Sequence, residues 1–304
     1  YVFMVKAQRN IHFAFDRIHP FGASIHQKVA VIDGKEAFVG SSDLSTSHWD
    51  KKGHPYNSVG RGSVFGKTHP PQHEVQSYVS GEIVDEIVIY LKERWERSVK
   101  SELQLETRRL EIPDRALDNG LNVSGVALSR TQPNMLFHDQ RQIHEIKVLF
   151  EDMIEKADKY IYFENQYFVA LPVFESLISR MKDPTASKLN IIIINPKQAH
   201  NIIDRVTYAK GRNNVFRRLQ RVAEEHGHSL GIYYSVTFDN KMNNVPVYIH
   251  SKVTIVDDRF MTIGSAKIAQ RSMGLDTELN LSWETEKKNS SIEGVKLELL
   301  HEHS

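Results

Sequence analysis

The sequence contains no cysteine. That excludes a disulfide framework, a thiolate zinc site and a cysteine nucleophile. It leaves the compartment open, because a cysteine-free chain is compatible with the cytosol and with export. An excess of one charge is also missing: 39 Lys and Arg stand against 38 Asp and Glu, for a formal net charge of +1. No global field points to nucleic acid or to anionic membrane, so attraction for a phosphate has to come from a local cluster. There is no run of 18 apolar residues that would read as a membrane-spanning helix. There is no H-E-x-x-H and no calcium loop. A signal peptide is not seen either, and the opening on Tyr1 reads as a processed or trimmed chain. What remains is an ordinary globular composition over 304 residues, 40% hydrophobic and 25% charged. That is enough for one large domain or two packed halves.

The chain repeats itself. Ile25-His26-Gln27-Lys28-Val29-Ala30-Val31-Ile32-Asp33 recurs as Ile249-His250-Ser251-Lys252-Val253-Thr254-Ile255-Val256-Asp257. Downstream, Ala37 to Ser41 parallels Met261 to Ser265. Upstream, residues 10–16 and 231–236 each suggest a strand ending shortly before the motif. Each copy predicts a hairpin: a β-rich run with the His and Lys, a turn at Asp33-Gly34-Lys35 or Asp257-Asp258-Arg259, and a second run ending in Gly-Ser. Helical spacing marks 81–99, 143–157, 173–181 and 213–225, with strands at 160–163 and 189–194 between them. Alternating strands and helices predict an α/β fold of two pseudo-symmetric repeats. Each repeat would be a mixed sheet flanked by helices, with the active site at their interface. The boundary falls at 125/126: residues 1–125 form the first repeat, with an inserted loop at about 51–76, and residues 126–304 the second. If the halves are equivalent, the first lacks about 75 residues of its opening unit.

The spacing His-x-Lys-x4-Asp is chemistry-bearing. Side chains alternate faces along a strand, so His26 and Lys28 point the same way, as do His250 and Lys252. Asp33 and Asp257 have the opposite parity, sit at the turns, and are expected to brace the hairpins. Brought together across a pseudo-twofold axis, two imidazoles and two ammonium groups suit a phosphodiester. The lysines would neutralise the phosphoryl oxygens. One His would attack phosphorus and the other protonate the leaving oxygen. The scheme needs no metal and no cofactor. With His, Lys and Asp each near roughly 5%, one chance match has a probability on the order of a few per cent. Two matches, each followed at the same spacing by Gly-Ser, are far rarer. His54, His69, His138 and His200 lack such context and read as surface or hydrogen-bonded core histidines.

These residues resemble the HKD signature of the phospholipase D superfamily. The likeness extends to Asp43-Leu44 with His48-Trp49-Asp50, to Arg94-Trp95, to Tyr162 through Phe168, and to Arg271 through Glu278. His48 stands where an Arg is usual. The resemblance implies a lipid-acting member in which His26 is the nucleophile and His250 the general acid and then base. It implies that Lys28 and Lys252 hold the phosphoryl oxygens, and that an acidic partner sits on each imidazole: Glu278 for His250 and Glu74 for His26. It also implies substrate contacts from Ser41, Asp43, Ser265 and Lys267, the last where Asn is usual. The implied activity is hydrolysis of glycerophospholipids to phosphatidic acid, with possible transfer to alcohols; cardiolipin-type synthesis and nuclease action are the alternatives. The implied partner is a phospholipid membrane surface, with no nucleic acid, and one chain suffices for catalysis because both motifs are on it. The enzyme is expected to be secreted or exported and peripheral to membranes. Arg212, Arg217, Arg218 and Arg221 read as a solvated basic helix face, with anionic headgroup docking as the functional alternative.

Overall fold

The computed structural model describes residues 12–62, 68–102, 120–123, 125–136, 141–198 and 202–304, with the backbone alone at 202–210. The first motif forms a hairpin of β1 (Val29–Ile32) and β2 (Glu36–Gly40). A short β3 (Gln72–His73) and then β4 (Gln76–Ser80) follow, with β4 lying antiparallel to β2. Helix α1 (Glu82–Val99) starts after Gly81, whose φ of 84° favours glycine. Strands β5 (Ala127–Gln132) and β6 (Ile143–His144) lead to α2 (Glu145–Glu155). Then β7 (Tyr160–Asn165), α3 (Leu171–Lys182), β8 (Asn190–Ile194), α4 (Ile202–His226) and β9 (Ser229–Tyr233) alternate. A small antiparallel pair, β10 (Val236–Phe238) and β11 (Asn244–Pro246), precedes β12 (Tyr248–Ile249). The second hairpin is β13 (Lys252–Val256) with β14 (Phe260–Gly264). Strand β15 (Glu278–Glu284) and α5 (Ser290–Glu302) close the order.

The large sheet is mixed, in the order β6-β5-β15-β14-β13-β7-β8-β9. Strands β7, β8 and β9 run parallel, because the two α/β crossovers return each strand in the same direction. The rest of the sheet is antiparallel. One face is covered by α2, α3 and α4 through a core that includes Phe150, Phe163, Leu177 and Ile193. The other face packs against the small sheet and against α1 and α5 through Ala37, Val39, Ile87, Ile255, Leu281 and Leu299. Covered on both faces, β13 and β15 are buried almost throughout.

The fold is the expected mixed α/β arrangement, with four local departures. The small sheet, β1-β2-β4, is antiparallel rather than mixed among the described residues. Residues 12–16 form no strand, and residues 10 and 11 lie outside the described residues. The expected loop at 51–76 contains β3 and the start of β4. The helix predicted over 213–225 begins earlier, at Ile202.

Candidate active site

Both hairpins turn through two successive left-handed residues: Asp33 (φ 53°) and Gly34 (φ 67°), then Asp257 (φ 55°) and Asp258 (φ 53°). Asp, Asn and Gly tolerate that region best, which accounts for the aspartate at the end of each motif. The two registers match, Val29 opposite Val39 and Val253 opposite Ile263. Gly40 and Gly264 end the hairpins where a Cβ would stand 2.6 Å from the Val75 carbonyl or 2.5 Å from the Leu279 carbonyl. Asp257 is a brace, as its parity suggested: its carboxylate accepts the backbone N–H groups of Asp158, Lys159 and Tyr160 at 2.7–2.8 Å. Asp33 has no such partner among the described residues.

Two short parallel contacts join the motifs. Ile25 bridges Thr277, and β12 pairs with β3 so that Ile249 faces His73. The His26 N–H donates to the Thr277 carbonyl and the His250 N–H to the His73 carbonyl, each at 2.9 Å. In a parallel register the next residue on each strand is brought alongside its counterpart. His26 is therefore set beside Glu278, and His250 beside Glu74. His26 Nδ1 lies 2.9 Å from Glu278 Oε2, and His250 Nδ1 lies 2.7 Å from Glu74 Oε1. The partners are thus the reverse of those expected from the resemblance, which paired each His with the acid of its own repeat. Cross-chain registry between distant segments decided the matter, and local sequence order does not carry it.

Each carboxylate is held by two further donors at equivalent places in the repeats. Ser265 Oγ and Ser272 Oγ donate to Glu278 at 2.6 Å. Ser41 Oγ donates to Glu74, and His48 Nδ1 lies 2.7 Å from it. Ser41 and Ser265 thus orient the two acids. Ser272 and His48 ride on matching 3-10 turns, Gln270–Met273 and Thr46–His48. Ser272 was not singled out from sequence, although it follows Ser265 by the same seven residues that separate His48 from Ser41. Gln72, also missed, donates to Glu74 at 2.6 Å.

The lysines lie under the histidines. Lys28 Nζ donates to its own His26 carbonyl at 2.9 Å, and Lys252 Nζ donates likewise to that of His250. Asp43 pairs with Lys28 at 3.3 Å and approaches His48 Nε2 at 3.6 Å. Lys267 leans over the Tyr167 ring at 5.6 Å. Its charge still reaches the site, where it disfavours protonation of His26 and Lys252.

Burial sets the protonation of the cluster. It pushes His26 down, against the pull of Glu278. Burial and then the Lys252 charge push His250 down to about 3. Lys252, only 2% exposed, falls to about 7 through burial, against Glu74 and with Lys267 and Lys28 adding repulsion. Burial disfavours the charge on Glu74. The hydrogen bonds of His250 and His48, with the Lys252 charge, override it and hold the carboxyl well below the usual range. With Nδ1 turned to a carboxylate, each neutral imidazole keeps the proton on Nδ1 and presents Nε2 as a lone pair.

The other sequence candidates take structural places. Arg94 meets Asp16 at 3.2 Å and Gln27 at 3.0 Å, fastening the segment before His26 to α1. Arg217, Arg218 and Arg221 are exposed, as expected of a solvated face, while Arg212 is half-buried and donates to Asn195 and to the Pro196 carbonyl. His54 is buried and hydrogen-bonded. His138 and His200 lie outside the described residues. No helix among those residues is long and apolar enough to cross a membrane.

Residues 150–295 match the family described as cardiolipin synthase, phospholipase-D-like domain. The chain is similar to cardiolipin synthase 1 of Staphylococcus epidermidis, with 23% identity over 256 residues covering 84% of this chain and 43% of that protein. It is also similar to phospholipase D A of Dictyostelium discoideum, with 25% identity covering 84% of this chain and 24% of that one. The chain therefore spans less than half the length of these curated relatives. Among solved structures, the phosphatidylserine synthase of Haemophilus influenzae Rd KW20 shares the fold, with a TM-score of 0.53 and 13% identity over 90% of this chain and 61% of that one.

Proposed function

The chain belongs to the phospholipase D superfamily, and from that premise we propose that it is a phosphatidyl-transferring phosphodiesterase that cleaves the headgroup phosphodiester of a glycerophospholipid. The observation that carries this reading is the crossed pair of carboxylate-bound imidazoles with a lysine under each. In the first step His26 Nε2 attacks phosphorus and forms an N–P bond. The bond from phosphorus to the headgroup oxygen breaks, and His250 gives that oxygen its proton. Bound phosphate offsets the lysine field, which lets His250 hold the proton that it lacks in the free site. In the second step His250 takes a proton from the acceptor hydroxyl, the acceptor oxygen bonds to phosphorus, and the N–P bond breaks. Lys28 and Lys252 stabilise charge on the phosphoryl oxygens. Glu278 steadies the nucleophile and Glu74 the acid. Lys267 adds a cation at the rim, where Tyr167 positions it.

Water as acceptor gives phosphatidic acid, the hydrolase reading. The hydroxyl of a second glycerophospholipid gives a cardiolipin-type product, a reading favoured by the matched domain family and by the staphylococcal relative. The two share the first step. Incubation with mixed phospholipid vesicles and a short primary alcohol, followed by lipid mass spectrometry, is expected to yield phosphatidyl-alcohol with the intact protein and none with His26→Ala. Cardiolipin in the same spectra marks the synthase reading, and phosphatidic acid without cardiolipin marks the hydrolase. Absence of any phosphatidyl product would reject both.

A further inference from the structure

Behind Glu74 lies a second group of titratable side chains that the reaction does not use. Its members are His54, His73 and Glu302, brought from the 50–62 loop, from β3 and from the last residue of α5. His54 Nε2 and His73 Nδ1 lie 3.1 Å apart, and Glu302 Oε1 lies 3.3 Å from the first and 3.8 Å from the second. Ligand atoms at the corners of a tetrahedron around zinc, with bonds of about 2.0–2.1 Å, stand about 3.3 Å apart.

The outer nitrogens of both rings face carboxylates. His54 Nδ1 is 3.2 Å from Asp50 Oδ2, and His73 Nε2 is 2.9 Å from Glu164 Oε1. In the free site one inner N–H is shared between His54 Nε2 and His73 Nδ1 at 3.1 Å, with the Glu302 carboxylate beside both rings. The three ligand atoms converge on one point, and a cation that displaces this proton bonds all three groups at once. A carboxylate behind each ligating imidazole is the usual support of a metal-bound histidine. The backbone is bent to make this geometry: Gly53 (φ 77°) and His54 (φ 47°) are consecutive left-handed residues, and such strain in a non-glycine persists where the surroundings impose it. His54, His73 and Glu302 also line a pocket of about 810 Å³ that reaches Asp43, His48 and Glu74, which gives an ion a path of entry.

We propose that His54, His73 and Glu302 bind one divalent transition-metal ion of the zinc class, with a water from the pocket as fourth ligand. The ion would fasten α5 and the 50–62 loop to the strand that delivers Glu74 to His250. It takes no part in breaking the phosphodiester.

The test is a titration of the metal-stripped full chain with Co²⁺, read by visible absorption, and then with Zn²⁺. One Co²⁺ per chain with the intense bands of four-coordinate cobalt, bleached by one equivalent of Zn²⁺, is expected. Glu302→Gln and His54→Ala should each weaken Co²⁺ binding at least tenfold, and Asp50→Asn by about 10- to 100-fold. His250→Asn should leave the bands unchanged, because His48, Glu74 and His250 form a separate cluster. Glu302→Gln, at the end of a helix, keeps the test informative if His54→Ala fails to fold. No bands at all, or bands abolished by His250→Asn and kept in Glu302→Gln, would overturn the assignment.

Discussion

His26 and His250 each commit Nδ1 to a carboxylate, so the chemistry of both falls to Nε2, and the neighbouring charges decide what that nitrogen does. Burial brings the lysine beneath His250, Lys252, down to about 7. A depressed lysine is charged below that value and loses its charge as pH rises through it. In the free protein, kcat/KM should therefore fall roughly tenfold per unit above about pH 7, as the cation that receives the phosphoryl oxygens is neutralised. Lys252→Arg keeps the charge at any accessible pH. It should remove that alkaline limb, whatever activity remains, and a pH series of kcat/KM on the two proteins checks it. At this scale the two motifs were legible in the sequence from their spacing, but the strand expected to carry His and Lys starts later: His26 and Lys28 precede β1, and His250 lies between β12 and β13. The partners of the rings were not legible. They are set by two parallel registers, Ile25 with Thr277 and Ile249 with His73, which span distances along the chain that no local pattern encodes.

The hairpin is the repeated element, and its two copies are held differently. Asp33 and Asp257 share one left-handed conformation, with φ of 53° and 55°. Replacing either with alanine carries the same backbone penalty. Among the described residues, only Asp257 also binds three backbone N–H groups at the entry to β7. The difference between the two substitutions thus isolates those bonds. Asp257→Ala should cost about 2 kcal/mol more than Asp33→Ala, by the usual worth of hydrogen bonds to a charged group. Urea unfolding of the two variants measures it, and equal losses would mean that Asp257 is not a brace. The hairpins, α1 and the alternation from α2 to β8 follow from periodicity and turn residues in the sequence. The strand expected before His26 does not form, because residues 12–16 have no neighbouring strand to pair with among the described residues. They are fastened instead through Asp16 to Arg94 on α1. The expected solvated face holds at Arg217, Arg218 and Arg221, which are exposed, and departs at Arg212, which reaches Asn195 just after β8.

Across the whole molecule the halves are interdependent: each motif histidine depends on a glutamate from the other half. In the proposed mechanism Glu278 serves the nucleophile His26, and Glu74 serves the proton donor His250. Substituting a glutamate should therefore impair the step performed by the opposite repeat's histidine, by up to about 10⁴-fold if it resembles a triad carboxylate. Glu278→Gln should slow formation of the phosphohistidine, whereas Glu74→Gln should spare formation when the leaving group needs no proton and slow its breakdown. The most direct test is intact-protein mass spectrometry of both variants after mixing with a phosphatidyl ester of a nitrophenol. A phosphatidyl adduct on His26 that accumulates in Glu74→Gln and not in Glu278→Gln is the predicted result. The reverse pattern, or an adduct on His250, would contradict the crossed pairing as the basis of catalysis.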